Sequence, residues 1–217
     1  MTLNIVETQD FASLQKYRIM NHKRKFFDCH AKGWDQQHSP ENEREIQKLV
    51  SKLNIEKGSR ILDIGCGTGA LLPHLAKNMG KNGKLFALDF SLEMLTKAKQ
   101  KKIAKNIAYI NADAQYLPFK ENCFDYVTCF ATFPHIDDQQ KSLLEMARTL
   151  KSKGKVFVLH LSSREKINAF HSKLDKSVAR DFLPNKRNMR QMMLKADFKD
   201  INITNKPNLY LASGVKL

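Results

Sequence analysis

The stretch ILDIGCGTGALLPHLAK, residues 61–77, determines how the rest of the chain is organised. An apolar run reaches an acid, Asp63, three glycines follow at alternate positions, and an apolar pattern of helical spacing begins after them. A loop that brings its backbone close to a ligand needs residues without a Cβ. The helix behind such a loop offers unpaired N–H groups and the positive end of its dipole. Gly65, Gly67 and Gly69 therefore predict a small-molecule site beyond the carboxyl end of this strand.

Strands and helices alternate on both sides of this loop, which predicts a parallel sheet with helices on both faces. The predicted strands are Arg60–Ile64, Lys84–Leu88, Ile107–Asn111, Asp125–Phe130 and Lys155–Leu161, and the helical patterns between them are Ala70–Asn78, Leu92–Lys102 and Gln139–Leu150. Residues 198–217 predict two further strands, which must pair antiparallel because no helix separates them. The predicted fold is α/β, a Rossmann-like, seven-stranded, mostly parallel sheet with a C-terminal antiparallel hairpin.

Two helical regions flank this pattern. Residues 1–57 predict a helical N-terminal cap, in which Ile46, Leu49 and Val50 share one helix face. Residues 58–217 predict the ligand-binding domain. Within that domain, residues 162–197 predict a mostly helical segment that is broken near Leu183.

The composition of the 217 residues is that of an ordinary soluble globule, with 42% hydrophobic and 27% charged residues. No apolar run approaches the roughly 20 residues of a membrane span. The N-terminal sequence lacks the pattern of a signal peptide, and the four cysteines form no C-x-x-C pair, so we expect a cytoplasmic protein without disulfides. The formal charge of +15 favours either a nucleic-acid surface or lysines spread over solvated helices. The second interpretation is preferred, because aromatic residues do not alternate with the lysine runs.

Acids close three successive predicted strands. The string GCGTGA also satisfies the dinucleotide pattern G-x-G-x-x-G/A, but Asp63 would repel a diphosphate and suits a ligand that carries an ammonium and a sulfonium group. Asp89 follows the first glycine by about the interval expected of a carboxylate that binds ribose hydroxyls. Asp113 closes the next strand, where an adenine amino group could donate to it. Each acid taken singly could instead cap a helix or a turn.

The strings ILDIGCGTG, NADAQYLPF and FDYVTCFATFPHI, together with Asp89, resemble the successive motifs of class I S-adenosylmethionine-dependent methyltransferases. The group they are most similar to is the ubiquinone/menaquinone-biosynthesis type of small-molecule methyltransferase. The resemblance covers residues 60–161 densely and is specific for the cofactor, S-adenosylmethionine, whose product is S-adenosylhomocysteine. It indicates little about the acceptor, since a fold does not define a substrate.

The resemblance implies a role for each residue of these motifs. Asp63 and the stretch from Gly65 through Cys66 and Gly67 to Gly69 would hold the methionine part of the cofactor. Asp89 would bind the ribose, with Phe90 and Met94 against the adenine, and Asp113 and Ala114 would bind the adenine edge. Phe130 would lie along the methionine portion. The segment FFDCHAKGWD, residues 26–35, is similar to a short segment that precedes the domain in this group, and there Phe27 and Trp34 would help to close the site.

Three histidines are candidates for a base, which methyl transfer needs only when the acceptor must lose a proton. His135 follows the fourth predicted strand, His160 closes the fifth, and His171 lies in the next helical segment. Each could equally be a surface or capping residue. His160 and His171 with Asp181 could also surround a metal, but their spacing matches no metal motif, and we expect none.

The leading interpretation is methyl transfer to a small-molecule acceptor by in-line displacement, in a monomer or a homodimer. A second interpretation makes RNA or protein the acceptor, using the positive charge. A third makes the chain an NAD-dependent oxidoreductase or a non-catalytic sensor of an adenosyl ligand. Asp63 and the lack of a second substrate domain argue against the oxidoreductase.

Overall fold

Seven strands form one sheet in the computed structural model, which describes residues 22–37 and 39–217. They are β1 (Arg60–Ile64), β2 (Lys84–Asp89), β3 (Ile107–Asn111), β4 (Phe124–Phe130), β5 (Leu150–His160), β6 (Phe198–Lys206) and β7 (Leu209–Lys216). Their order across the sheet is β3-β2-β1-β4-β5-β7-β6. Strands β1 to β5 pair in parallel, whereas β7 pairs antiparallel with both β5 and β6. The predicted mostly parallel sheet with a C-terminal antiparallel hairpin is thus confirmed.

The helices connect these strands on both sides of the sheet. They are α1 (helical over residues 22–30), α2 (Pro40–Ser51), α3 (Leu72–Met79), α4 (Leu92–Gln100), α5 (Gln139–Thr149), α6 (Arg164–His171) and α7 (Lys186–Lys195), and a 3₁₀ helix, Ala31–Gln37, follows α1. Residues 1–21 of the predicted cap lie outside the described residues. None of the helices in the described part of the chain is long and apolar enough to span a membrane.

Side chains alternate between two apolar layers along the central strands. Leu62 and Val127 belong to the layer that contains the buried residues of α5 and α7. Ile61 and Tyr126, their neighbours in sequence, belong to the layer that contains those of α2, α3 and α4. A strand buried on both faces needs apolar residues at successive positions, which explains the continuous apolar runs in the sequence. The helices therefore cover both faces, as predicted.

The segment 162–197 is helical with a break that includes Leu183, as predicted, but the break is longer than expected. It forms two separate helices, since α6 ends at His171 and α7 begins only at Lys186. Helix α6 ends with Ser172 as its C-cap, and Asp175 then begins a turn in which its carboxylate accepts hydrogen bonds from the backbone N–H and the hydroxyl of Ser177. Asn185 then caps α7 by accepting from the N–H of Asn188.

The carboxyl ends of β1, β2 and β3 meet at one edge of the sheet, as their parallel registers require. Strands β2 and β3 lie on one side of β1, whereas β4 and β5 lie on its other side. The direction in which strands are added therefore reverses between β1 and β4. Ligands of open α/β sheets bind in the crevice outside such a reversal. We therefore expect a ligand to bind at the loops after β1 and β4.

Two adjacent leucines of α5 test this packing. Leu143 is 0% exposed within the layer of α5 and α7, whereas Leu144 is 46% exposed. We expect Leu143→Ala to lower the free energy of unfolding by about 2 to 5 kcal/mol, because it removes buried contacts and leaves a cavity. Leu144→Ala is the matched control and should change it by less than about 1 kcal/mol. Urea unfolding of both variants checks this, and equal losses would contradict the arrangement of the layers.

Candidate active site

The three glycines of the first loop meet two different requirements. All have positive φ, at +65° for Gly65, +53° for Gly67 and +93° for Gly69. A Cβ on Gly65 would overlap the side chain of Thr132, and a Cβ on Gly69 would press on Leu72 and other residues of the α3–α4 packing. A Cβ on Gly67 would meet no atom within 4 Å. Gly65 and Gly69 therefore permit close packing, whereas Gly67 borders open space.

Asp63 is buried in β1, behind this loop, and is 1% exposed. One carboxylate oxygen accepts a hydrogen bond from the Thr128 hydroxyl at 2.7 Å, and the other has no partner among the described residues. Burial raises the pKa of Asp63 to about 7, against the lowering effect of the Thr128 hydrogen bond. An unpartnered buried carboxylate oxygen suits a cationic or hydrogen-donating ligand group nearby.

Asp89 closes β2, and hydrogen bonds occupy both of its oxygens. Oδ2 accepts from the N–H of Gly67 at 2.8 Å, and Oδ1 accepts from the N–H of Ser91 at 2.9 Å. Burial raises the pKa of Asp89 to about 6, although these N–H groups favour the charged form. Ser91 caps α4 through the N–H of Met94, as its position in the sequence indicates. The carboxylate thus links the glycine loop to the start of α4.

A cavity of about 80 Å³ lies against the glycine loop. The predicted residues that line it are Phe27, Trp34, Gly65, Cys66, Gly67, Asp89, Phe90, Met94, Phe130 and His135. Two further predicted residues, Asp63 and Gly69, do not line this cavity. Asp63 is buried within β1, and Gly69 faces the packing between α3 and α4.

A neighbouring cavity of about 50 Å³ contains the residues that follow β3. Asp113 and Ala114 line it together with Gly65, Phe90 and His135. The Asp113 carboxylate accepts from the backbone N–H of Gln115 at 2.8 Å and from its side-chain amide, which orients it at this edge of the sheet.

Helix α1 closes over both small cavities. Phe27 packs edge-on against Phe90, with 5.6 Å between ring centroids, and contacts His135 at 5.0 Å. The Asp28 carboxylate accepts from the hydroxyl of Ser91 at the start of α4. Small-molecule sites usually measure roughly 300 to 1,000 Å³. Both cavities are smaller than this, so a ligand as large as an adenosyl compound requires their lining, α1 included, to rearrange as it enters.

A third cavity, of about 1040 Å³, lies on the other side of Phe130 and His135. Its lining is largely aromatic and apolar, with Phe26, Ile46 and Phe170 among its residues. The three predicted histidines all line it, and His135 lines the two smaller cavities as well.

Asp181 orients two of these histidines. Its carboxylate accepts from Nδ1 of His135 at 2.8 Å, and its backbone carbonyl accepts from Nδ1 of His171 at 2.5 Å. Because both partners are acceptors only, both Nδ1 atoms carry the proton, and a neutral ring then has a lone pair on Nε2. Burial lowers the pKa of His171, so its neutral form is favoured.

His160 is also buried and lacks a partner at Nε2 among the described residues. Burial, together with the neighbouring His135 and His171, lowers its pKa to about 3. Within residues 22–37 and 39–217, no three His, Cys, Asp or Glu side chains are arranged to hold a metal ion. Asp181 directs its carboxylate to His135 and Lys23, rather than to a metal site with His160 and His171.

Sequence reasoning missed two residues of this site. Lys23 forms an ion pair with Asp181, 158 residues away, and Thr132 donates to the carbonyl oxygen of Gly65 at 2.8 Å. Lys23 lies far in sequence from Asp181, and Thr132 lies in a different motif from Gly65. Asp181 entered only as a metal ligand, because nothing in its local sequence indicates contact with His135.

Comparisons with known proteins show the family to which the chain is related. A protein-family model described as a methyltransferase domain matches residues 62–158 of the chain. The chain is 31% identical over 179 residues to the demethylmenaquinone methyltransferase of Oceanobacillus iheyensis, and this match covers 71% of the chain and 75% of the relative. It is 40% identical over 115 residues to the demethylmenaquinone methyltransferase of Staphylococcus epidermidis, covering 52% of the chain. The chain spans only about half of that second relative, 48% of its length.

Solved structures show the same fold. A crystal structure of an S-adenosylmethionine-dependent methyltransferase from Aquifex aeolicus matches with a TM-score of 0.70 at 20% identity. The match covers 88% of this chain and 98% of that one.

The buried Asp63 carboxyl generates a prediction about stability and pH. Its pKa of about 7 lies above the ordinary value of 3.8, so the folded state retains a proton that the unfolded chain releases. Its contribution to stability is therefore complete below about pH 4 and is lost as the pH rises through 7. We expect the unfolding free energy of the wild type, relative to Asp63→Asn, to fall by about 3 to 4 kcal/mol between pH 4 and pH 8. Urea unfolding at a series of pH values measures it, and a difference that does not change with pH would contradict it.

Proposed function

The chain belongs to the class I S-adenosylmethionine-dependent methyltransferases, and on this premise we propose that it methylates a small molecule held in the 1040 Å³ cavity. One observation carries this proposal: His135 lines all three cavities, so the glycine-loop side and the large cavity meet at its side chain. A methyl group that passes from a cofactor at the loop to an acceptor in the large cavity crosses this junction.

The residues at the loop fit S-adenosylmethionine. Gly67 leaves space in which a ligand can approach the backbone of the loop. The unpartnered oxygen of Asp63 suits the positively charged end of the cofactor. We assign Asp89 to the ribose, Phe90 and Met94 to the adenine ring, and the remaining predicted residues to the roles that the family resemblance implies. The bound cofactor supplies a methyl group on a sulfonium, and the carbon–sulfur electron pair stays on sulfur, giving S-adenosylhomocysteine, as the acceptor forms the new bond.

His135 is the residue we propose as the base. One proton leaves the acceptor for each methyl group that arrives, and Nε2 of His135 has a lone pair to take it when Nδ1 donates to Asp181. Asp181 holds the ring in this tautomer and stabilises the cation that forms. His135 then returns the proton to solvent. His160 is not proposed as the base, because its low pKa makes it a weak proton acceptor.

The acceptor we propose is an aromatic compound that carries hydroxyl groups, of the quinol type. Nε2 of His135 and of His171 both offer lone pairs, so the cavity favours a molecule that brings hydrogen-bond donors. The aromatic lining suits a flat apolar ring. The relatives named above are called demethylmenaquinone methyltransferases, which agrees with this class of acceptor.

Two segments build the acceptor cavity in this proposal. The cap, residues 1–57, contributes Phe26, Trp34 and Ile46, and the segment 162–197 contributes Phe170 and His171. Residues 58–217 form the cofactor-binding domain. We also propose a cytoplasmic setting, because the four cysteines are free.

Thermal unfolding with S-adenosylhomocysteine, and with NADH in a parallel sample, tests cofactor binding. A ligand at 100 times its dissociation constant stabilises by about 2.7 kcal/mol, which raises Tm by roughly 5 to 10 °C for a domain of this size. We expect this rise with S-adenosylhomocysteine alone. A rise with NADH alone would support an oxidoreductase instead. Cofactor binding without turnover of any hydroxylated aromatic acceptor would support a sensor.

Two glycines provide matched variants for this test. Gly67 has φ +53° and Gly58 has φ +81°, and a Cβ on either would meet no atom within 4 Å, but only Gly67 lines the loop cavity. We expect Gly67→Ala to weaken S-adenosylhomocysteine binding about tenfold or more, because the methyl group occupies ligand space. Gly58→Ala should lose a similar amount of stability, about 1 to 2 kcal/mol, with unchanged affinity. Titration calorimetry measures the affinity of both variants for S-adenosylhomocysteine. Equal affinities of Gly67→Ala and Gly58→Ala would contradict the placement of the cofactor.

His135→Gln tests the proposed base. We expect kcat for methyl transfer to fall about 10² to 10⁴-fold, since Gln cannot accept the proton, while S-adenosylhomocysteine affinity changes little. His74→Gln is the control, because the His74 ring is hydrogen-bonded to Glu43 in α2 and lines none of the three cavities. A His135→Gln enzyme with wild-type kcat on the identified acceptor would remove His135 from the chemistry.

A further inference from the structure

We infer that Lys23, on α1, is a positioning residue that acts through Asp181 to keep Nε2 of His135 unprotonated. His135 can therefore accept a proton only when α1 covers the cofactor. This inference rests on the proposed role of His135. Lys23 itself lines only the Asp113 cavity and a cavity on the outer side of α1, and it does not line the acceptor cavity.

The contacts of Lys23 form a continuous chain to the imidazole. Its Nζ lies 2.7 Å from Oδ1 of Asp181 and 2.5 Å from Oδ1 of Asp137, and it donates to the carbonyl oxygen of His135 at 3.2 Å. The other oxygen of Asp181 accepts from His135 Nδ1. The side chains of Lys23 and Asp181 are 8% and 6% exposed, so water screens this chain weakly. One ammonium group therefore fixes both the backbone of His135 and the carboxylate that orients its ring.

The charge of Lys23 determines which form of His135 the site favours. His135 faces Asp181, Phe27 of α1, and the rings of His171 and His160, and Asp137 lies on the far side of Lys23. With Lys23 present, the Asp181 carboxylate already has a cationic partner. Without it, His135 is the only partner that remains for the buried carboxylate among the described residues, and a buried unpaired anion strongly favours a charged partner. His135 would then hold a proton on Nε2 and could not accept one from the substrate.

The same helix closes the cofactor side. Phe27 lies one turn beyond Lys23 and contacts both Phe90 and His135, while Asp28 accepts from Ser91. An outward movement of α1 that admits the ligand would therefore also separate Lys23 from Asp181. Closure restores both contacts together. The base would thus form only over a covered cofactor, which limits reaction with water.

A purely structural anchor is the competing explanation for Lys23. A buried lysine between two carboxylates would hold α1 in place whether or not His135 had any chemical role. Lys25 provides the matched control, because it lies on the same helix and is exposed. The comparison of Lys23→Met with Lys25→Met therefore separates the loss of this contact from the loss of any lysine on α1.

The first test needs no acceptor. With S-adenosylhomocysteine at saturation, ¹⁵N NMR reports the protonation of both ring nitrogens of His135. We expect a bare Nε2 in the wild type, in Lys25→Met and in Lys23→Arg, which keeps the charge, and a protonated Nε2 in Lys23→Met. A Lys23→Met spectrum identical to that of the wild type would overturn the inference. Lys23→Gln keeps a donor without the charge and gives the same readout if Lys23→Met does not fold.

The second test is a double-mutant cycle on the identified acceptor. At saturating cofactor we expect Lys23→Met to lower kcat about ten- to a hundredfold and to cause no further loss in the His135→Gln background. Equal losses in both backgrounds, or a loss confined to KM for the cofactor, would show a structural anchor and overturn the inference. A wild type that binds no S-adenosylhomocysteine would instead overturn the proposed function, so the two failures are distinguishable.

Discussion

The contact between Gly65 and Thr132 is the constraint on which the site depends. β1 and β4 are neighbours in the sheet, and the loops that leave them would collide if residue 65 carried a Cβ. The Thr132 hydroxyl donates to the carbonyl oxygens of Gly65 and Phe130 and so joins the two loops. This junction directs the Gly67 N–H to Asp89 and places Phe130 and His135 between the loop cavity and the large cavity.

Buried acids around this junction are stabilised in two different ways. Among the residues that the structure describes, no cationic side chain pairs with Asp63 or Asp89, and their burial raises both pKa values. Asp181 is equally buried but is paired with Lys23 and His135. Burying charge costs free energy unless the charge is paired or hydrogen-bonded, so arrangements of this kind are concentrated at functional sites. In the proposed function, the first two acids suit the cationic cofactor, and the third orients the proposed base.

Lys23 also shows how little the total charge reveals about function. The chain has a formal charge of +15, yet Lys23 is the only buried lysine among the described residues. Surface ion pairs, such as Lys48 with Glu45, each contribute little to stability. The composition does not reveal which lysine lies at the site, since only its contacts with Asp181 and His135 distinguish Lys23 from the other lysines.

The sequence by itself determined the sheet, its antiparallel end and the position of the glycine loop. These features depend on local signals, namely continuous apolar strands, alternating helical patterns and glycines at a strand end, all of which act over a few residues. It also placed Asp89 and Asp113 at one edge, because parallel strands must end together. The length of the break within the segment 162–197 was predicted less well, since polar side chains such as Asp175 and Ser177 hold the turn there and leave no apolar pattern in the sequence. Only the tertiary structure decided that Lys23, His135 and Asp181 meet. Contacts between residues so far apart leave no periodicity or spacing in the chain, because they arise from how the helices and loops pack on the sheet.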